Sequence, residues 1–503
     1  MKYWKGVVSI LCMLSLGACT LPGTEPPKET KTSSEETSKK ETETRTEPQE
    51  EKPGKTAGRP HLYFESEILG RTSPQGDTTY YVITNSRLYL SKGEEKKFPE
   101  LQKALEGYNQ RVDRESKQKK EEMEQEVADA LEHNPAYFDE EVLSDETTGY
   151  VMRADETLVS VLEYRYIDGT SPRADYGYAA YNYDTATGQE IKFTDVVKDT
   201  KGFFDLVDDS IQVVYPEDYP YMTPPVQYGK EQEAQGFSDL VWTMNTEGVT
   251  LYFNLYTLGE HALGTHMATV YFDDGNGELF HPKYSKSPKD GVFPLLMEAP
   301  PIDLPVSKDW ETVPVVVVEQ RDEDGYAEGF TVHAGENSVS DLDGYSAYPY
   351  IVKKDGQYNM YLFVTGDSDY REMYFVDLEN MSFDERKDRM GISLAQENVA
   401  WKEDQTDSLY TTREECFTDP DSFMAAKGTF LIQSLYCKTE YHTAKDGRPV
   451  PYQEDYIVAE NVVLRTLMDL PCKEVDREGG IIGEATIPAN SYVLFLYTDC
   501  IGW

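Results

Sequence analysis

His261 and His266 stand five residues apart in the stretch 237–274, and a histidine pair is the first thing in this chain that could do chemistry. A helical zinc site needs spacing four with a Glu beside the first His. Glu260-His261 followed by His266 misses that register, so the pair reads as loop histidines and no metal ligand is assigned. Asp322-Glu323-Asp324-Gly325 and Asp341-Leu342-Asp343-Gly344 have the shape of calcium-loop centres. Placing Gly at position six, however, puts Gln320 or Val339 first and Thr331 or Tyr350 twelfth, where carboxylates belong. Both read as hairpin turns; weak surface Ca²⁺ binding stays open, and no cofactor is expected. The sequence has no glycine-rich phosphate loop and no G-x-S-x-G, and carboxylates are so numerous that their pairing says nothing, so no catalytic residue is assigned. Tyrosine is more informative. The chain has 37, and Tyr178, Tyr181, Tyr183 and Tyr252 each offer an apolar body with a hydrogen-bonding tip, suited to contact with carbohydrate or protein.

Where those side chains would be presented is set by the first residues. Lys2 and Lys5 precede an apolar run from Gly6 to Leu16, too short to span a bilayer and read as a secretory signal over 1–18. It ends in Leu16-Gly17-Ala18-Cys19, which resembles the lipobox of bacterial lipoproteins, so Cys19 is the expected lipidation site and membrane anchor. Residues 19–58 carry 9 Glu and 7 Lys plus Arg with Leu21 as their one large apolar side chain, a composition expected to stay a flexible tether. The expected location is the outer face of the cytoplasmic membrane of a Gram-positive bacterium, exposed to the cell wall. Residues 59–503 then hold 39 of the 48 basic and 83 of the 92 acidic residues, so the whole net charge of −44 sits there. Such a surface repels nucleic acid and attracts cationic proteins or peptides. After Cys12 and Cys19, four cysteines remain, Cys416, Cys437, Cys472 and Cys500, and an even number in an exported chain favours up to two disulfides with three connectivities open, ahead of free thiols and of zinc binding, for which there is no C-x₂-C pair.

Leu101, Leu105, Tyr108 and Val112, then Met123, Val127 and Leu131, recur at helical spacing among Lys, Glu, Gln and Arg. This predicts one long amphipathic helix, or two in line, beginning at Pro99 and stopping before Pro135. Strands are predicted at 61–69, 78–90, 158–166 and 178–183, a second helix at 200–214, and a loop with four prolines at 215–236. In 237–274, Val241–Met244 pairs back across Asn245-Thr246-Glu247-Gly248 on a strand whose Val249, Leu251 and Phe253 share one face, with Met267–Asp273 returning; a half-buried strand and a positive φ at Gly248 are expected. The fold class is α+β: an antiparallel sheet with helices on one face over 59–285, then a β-rich module at 310–455 beyond the proline-rich stretch 282–314. Residues 456–503 loosely resemble a bacterial SH3-like barrel.

Tyr181-Asn182-Tyr183-Asp184 with Thr187-Gly188, Phe193-Thr194-Asp195-Val196, then Trp242, Gly248, Tyr252-Phe253-Asn254, Tyr256 and Gly264 resemble a DUF3298-like extracellular domain of unknown function. That domain occurs in RsiV-type anti-sigma factors, which sense lysozyme, and in some peptidoglycan deacetylases. The helix carrying Tyr108-Asn109 resembles its DUF4163-like companion, and the likeness covers about residues 60 to 280. The chain departs from the pattern in lacking the sigma-binding segment and transmembrane helix of the anti-sigma factors. Residues 285–503 contain only His333 and His442 where a deacetylase module has metal-binding residues, and the loop 256–264 is poorer in Pro than usual. The resemblance implies a non-enzymatic, lipid-anchored surface protein that binds a ligand at the envelope, a cationic muramidase or a wall fragment. The alternatives are a cell-wall-modifying enzyme or its accessory, and a structural envelope lipoprotein.

Overall fold

The computed structural model describes residues 58–498 except 140, 172, 298, 307–311, 324, 367–370, 405–406, 430–434, 453–455, 459–462, 476–480 and 495–496. Strands β1 (Leu62–Thr72) and β2 (Thr79–Leu90) form an antiparallel hairpin, and the chain then enters α1 (Pro99–His133), one uninterrupted helix. Pro99 opens it, where a missing N–H costs nothing. The predicted stripe is buried from Leu101 to Val127, while Leu131 at its end is exposed. Next come β3 (Leu143–Ala154), β4 (Leu158–Asp168) and β5 (Asp175–Asp184). The sheet is not purely antiparallel: β2 and β3 run parallel, bonded over Tyr81–Thr84 and Leu143–Glu146.

A second layer follows, made of α2 (Phe193–Val196), α3 (Thr200–Val214), α4 (Pro225–Ala234) and the three-stranded sheet β6 (Val241–Met244), β7 (Gly248–Phe253), β8 (His266–Tyr271). Asp199 caps α3 by accepting from the Gly202 N–H at 3.0 Å. The stretch 215–236 is therefore not all loop. Pro225 takes the first turn of α4, and Gly229 lets that helix lie close on Phe204, whose ring would be 2.5 Å from a Cβ there. The helices thus do not all share one face of the large sheet, since α2 to α4 pack on the small one.

Two expectations for β7 are corrected. The strand is buried on both faces: Val249, Leu251 and Phe253 pack with Trp242, Phe193 and Phe203, while Tyr252 packs with Met152, Leu162 and Tyr178 of the large sheet. Gly248 is absent from the left-handed residues; a Cβ there would lie 2.4 Å from the Val270 carbonyl oxygen, so close backbone approach is what demands glycine.

Beyond, β9 (Gly291–Pro294), β10 (Ile302–Leu304), β11 (Val313–Arg321), β12 (Ala327–Ala334), β13 (Asn337–Asp343), β14 (Ser346–Lys354), β15 (Gln357–Thr365), β16 (Arg371–Asp377) and β17 (Arg389–Met390) build two sheets, β10-β11-β12-β13 and β17-β16-β15-β14-β9. The latter is covered on both sides. Ile351, Met360, Leu362 and Val376 pack towards β10–β13, and Tyr361, Phe363, Met373 and Phe375 pack on Phe417, Phe423 and Cys437. Phe423 and Cys437 belong to a sheet of β18 (Ser393–Leu394), β21 (Ser422–Thr429), β22 (Leu435–Thr443), β23 (Pro449–Pro451) and β24 (Tyr456–Val458) with Tyr497–Thr498, and Phe417 lies on the connection that leads into it. Between β18 and β21 the chain leaves to form β19 (Gln396–Asp404) and β20 (Asp407–Glu415), which pair on β1. The first sheet therefore reads β19-β20-β1-β2-β3-β4-β5, and strands from both sides of 282–314 share it. Near the end Val463–Arg465 pairs with Tyr492–Leu494 and Leu470–Val475 with Ile481–Ile487; among the described residues all sheets are open and no barrel forms. Among the described residues no helix is long and apolar enough to cross a membrane.

The β6–β7 turn is buried, and its Glu247 binds the second half of the chain. Lys353 Nζ lies 3.1 Å from Glu247 Oε1, and the Tyr358 hydroxyl donates to Oε2 at 2.8 Å, with all three groups shielded from water. Removing one member of a buried pair strands the other. Glu247→Gln should lower unfolding free energy by about 3 kcal/mol, read as a lower urea midpoint, and Glu247→Leu with Lys353→Met should recover most of it.

Candidate functional site

The alternation of β5 sends its three sequence-selected tyrosines in two directions, and the fourth, Tyr252, comes from β7. Tyr178 faces the small sheet, its ring 5.0 Å from that of Tyr252 and 5.4 Å from Tyr164. Tyr178 and Tyr252 are 9 % and 5 % exposed, and the Tyr252 hydroxyl bonds Thr243 Oγ1 at 3.0 Å. Tyr181 and Tyr183 lie beneath α1. The Arg111 guanidinium sits 4.1 Å over the Tyr181 ring, and Glu163 accepts from Arg111 at 2.8 Å and from the Tyr108 hydroxyl at 2.5 Å. Burial pushes the Tyr181 and Tyr183 phenols up, so both stay neutral. Tyr178 and Tyr252 are thus interior packing residues, and Tyr181 and Tyr183 are half-buried against α1.

A different set of aromatics faces solvent at the end of the small sheet. Asn254, one residue past β7, uses its side-chain amide as a strand would: Oδ1 accepts from the Tyr178 N–H at 2.7 Å and Nδ2 donates to the Tyr178 carbonyl at 2.9 Å. From that anchor the chain turns, the Thr257 N–H donating to the Asn254 carbonyl at 3.0 Å. Tyr256 occupies the third position of this turn at φ 66°, a conformation that Gly or Asn adopts more cheaply. Its ring is 65 % exposed and rests edge-on against His261, centroids 5.4 Å apart. The neighbouring segment is bonded to this loop through the Thr223 N–H and the Leu258 carbonyl at 2.6 Å, and it presents Tyr221 at 77 % exposure. Acidic groups rim the pair. Asp175 lies 3.6 Å from His261 Nε2 and Asp218 lies 3.5 Å from His266 Nε2, so the two histidines go to separate carboxylates.

The turn between β4 and β5 leads from Asp175 back to Thr170, which closes a second acidic feature. Along the last four turns of α1 an open groove of about 740 Å³ is lined by Glu121, Glu122, Glu126, Asp129, His133 and Thr170, with no Lys or Arg among its walls. Glu126 Oε1 accepts from the Thr170 hydroxyl at 2.7 Å, fixing the groove's edge.

The remaining candidates are dispersed. Cys19 and Cys500 lie outside the described residues. Cys416 is half-buried at the end of β20, Cys437 buried in β22 and Cys472 half-buried near the C-terminus, and no disulfide joins these three to one another. Asp322 Oδ1 accepts from the Tyr326 N–H at 2.8 Å as in a closed turn, whereas Asp341 takes φ 62° within β13, where the register with β12 shifts, so that motif is bulged strand and not the expected hairpin turn. The sequence reading named Tyr256 within the family resemblance without making it a contact candidate, and it did not single out Tyr221. The available signal for Tyr256 is a tyrosine two residues after the Asn that follows a strand, in the place of a turn glycine.

No family model matches the sequence, and no curated protein matches it. Among solved structures the chain is similar to a member of the DUF3298 family from Bacteroides fragilis, at 14% identity and TM-score 0.32, covering 45% of this chain and 96% of that one. It is also similar to a DUF3298 family protein from Pseudomonas aeruginosa, at 13% identity and TM-score 0.29, covering 46% of this chain and 98% of that one.

His266 gives this end a pH signature. It is buried against the Tyr215 ring, and burial pushes its pKa below the ordinary histidine value while Asp218 pulls it partly back. The unfolded chain therefore takes up the proton first, so this contribution to stability is complete above the ordinary histidine pKa and is lost as pH falls. Between about pH 7 and pH 5 the urea midpoint should fall more steeply in the native protein than in His266→Gln, measured in parallel.

Proposed function

We propose that this chain is a lipid-anchored protein of the outer cell envelope, held by Cys19, whose region 59–285 is a DUF3298-like ligand-binding domain with no chemistry of its own. The ligand class that fits best is a cationic protein, a muramidase in particular, seated on the loop end that carries Tyr221 and Tyr256. Tyr256 is the observation that supports this most. A non-glycine residue at φ 66° costs roughly 1 kcal/mol, and a ring left 65 % exposed returns little of that by packing. Strain kept where packing does not require it marks a position used for contact. Exposed tyrosines serve as anchors at protein interfaces, and a rim containing Asp175, Asp218 and Glu260 selects a partner of opposite charge. The acidic groove on α1 extends the same field along the surface.

The charge contribution is screened beyond about 8 Å at physiological salt, so binding should be strongly salt-dependent. Calorimetric titration of the purified full-length protein with lysozyme should show an affinity that falls as salt rises from about 20 mM to about 300 mM. Tyr256→Asn should relieve the backbone strain, raising the urea midpoint, while weakening binding by about tenfold. Absence of salt-sensitive binding, or a Tyr256→Asn protein that binds as tightly as the native one, would overturn the proposal.

A further inference from the structure

Three buried polar groups meet where α1 crosses β2 and β3, and each continues a row of core residues. Asn85 lies two positions past Ile83 on β2, Asp145 two past Leu143 on β3, and Lys119 one turn before Met123 on α1. Apolar side chains would extend those rows; instead an amine, a carboxamide and a carboxylate stand there, each at 5 % exposure or less. Lys119 Nζ donates to Asn85 Oδ1 at 3.2 Å and to Thr147 Oγ1 at 2.7 Å, and it lies 3.1 Å from Asp145 Oδ1. The carboxamide is gripped from its other end, Nδ2 donating to Ser116 Oγ at 2.9 Å. Arg165 donates to both oxygens of Asp145.

Two cations therefore share one carboxylate, and a protonated Lys119 would carry charge in the interior that Asp145 already spends on Arg165. Burial accordingly pushes the Lys119 pKa below the ordinary lysine value, with Asp145 partly opposing. An uncharged amine is a nucleophile. The carbon bonded to the oxygen that Nζ already touches, Cγ of Asn85, is an amide electrophile, whereas the Asp145 carboxylate, anionic and paired with Arg165, is a much poorer one.

We propose that Lys119 and Asn85 are joined by an intramolecular isopeptide bond, formed by the chain itself with Asp145 carrying the proton. Nζ attacks Cγ; Asp145 takes one proton from Nζ and passes it to Nδ2, which leaves as ammonia, while the other Nζ proton stays on the new amide. The Cγ–Nζ bond forms as Cγ–Nδ2 breaks, and nothing is oxidised or reduced. Thr147 holds Nζ in place, and Ser116, half-buried, orients the carboxamide and lies on the side from which ammonia can reach solvent. The bond fastens α1 to the first sheet and closes residues 85–119 into a covalent loop. It is made once, within the chain, and requires no ligand, so it is independent of the cationic-protein reading.

The test is a peptide map of the purified full-length protein, denatured, reduced and digested with trypsin. The expected product is a branched peptide joining Lys119 to Asn85, about 17 Da lighter than its two linear parts because ammonia has left, and uncut after Lys119. Lys119→Arg keeps a cation but has no attacking amine, and Asp145→Asn has no proton carrier; both should give linear peptides only, with folding checked by circular dichroism. Native protein should also migrate faster than Lys119→Arg on a reducing, denaturing gel, because one loop stays closed. Linear Lys119 and Asn85 peptides alone from native protein would overturn the bond, an outcome that depends on no variant folding. A branched peptide about 18 Da lighter, joining Lys119 to Asp145 by loss of water, would overturn Asn85 as the partner. A bond that forms in folded Asp145→Asn would overturn the proton-carrying role. Lysozyme titration reads none of these outcomes, so the two proposals stand or fall separately.

Discussion

The Glu247 carboxylate is the constraint on which the arrangement of the described chain depends. It sits at a hairpin turn between β6 and β7, and that turn is closed from within: Asn245 Oδ1 accepts from the Glu247 and Gly248 N–H groups at 2.8 and 3.0 Å. Thr246 presses on Gly291, where a Cβ would lie 2.2 Å from its methyl. A buried carboxylate without partners would cost several kcal/mol in desolvation, so the turn can be buried only where Lys353, Tyr358 and Ser287 converge on it. That requirement sets where β14 and β15 stand against the hairpin. It also supplies directionality, which apolar contact between two sheets does not.

A similar economy joins the small sheet to the large one without a continuous ladder. Asn254 pairs with both backbone groups of Tyr178, and Asn182 Nδ2 donates to the Trp242 carbonyl at 2.9 Å. Ser160 Oγ donates to Asn182 at 2.6 Å and accepts from the Met244 N–H at 3.0 Å. Side-chain amides thus satisfy backbone groups that a strand edge would otherwise leave unpaired in the interior. The Asn positions of Tyr181-Asn182-Tyr183 and Phe253-Asn254 are explained by this joint. They position the Tyr256 loop, because the turn that presents Tyr256 begins at the residue clamped to β5.

Local pattern made the long helix and most central strands legible, since apolar spacing at three to four or at two residues reports directly on a buried face. Where it misled, burial came from partners far away in sequence. Asn245-Thr246-Glu247-Gly248 is polar and reads as a surface turn, yet it is interior because an ion pair 106 residues away covers it. β19 and β20, with Glu, Lys, Asp and Thr throughout, carry weak strand signals; their pairing on β1 is long-range and leaves no periodic trace. The tyrosines are hard to place for a related reason. Tyr178 and Tyr252 alternate as exposed strand residues should, but a second layer covers the face on which they lie, and composition does not report a layer. Tyr256 does not stand out as a contact candidate because its information is in φ, not in residue type.

Charge and strain act on different terms at the loop end. With 83 acidic against 39 basic residues, the excess negative charge of 59–503 repels itself in the folded state, so added salt should relieve that repulsion and stabilise the fold. The same ions screen attraction to a cationic partner and weaken its binding. The buried pairs, Glu247 with Lys353 and Glu163 with Arg111, are shielded from ions and respond little, so the architecture that holds the loops keeps its geometry while the field around them changes. Binding through Tyr221 and Tyr256 alone would be indifferent to salt, whereas binding through the rim alone would vanish with it. A partner held by both loses affinity with salt only down to a floor set by the rings. The height of that floor measures how much of the contact the strained tyrosine carries.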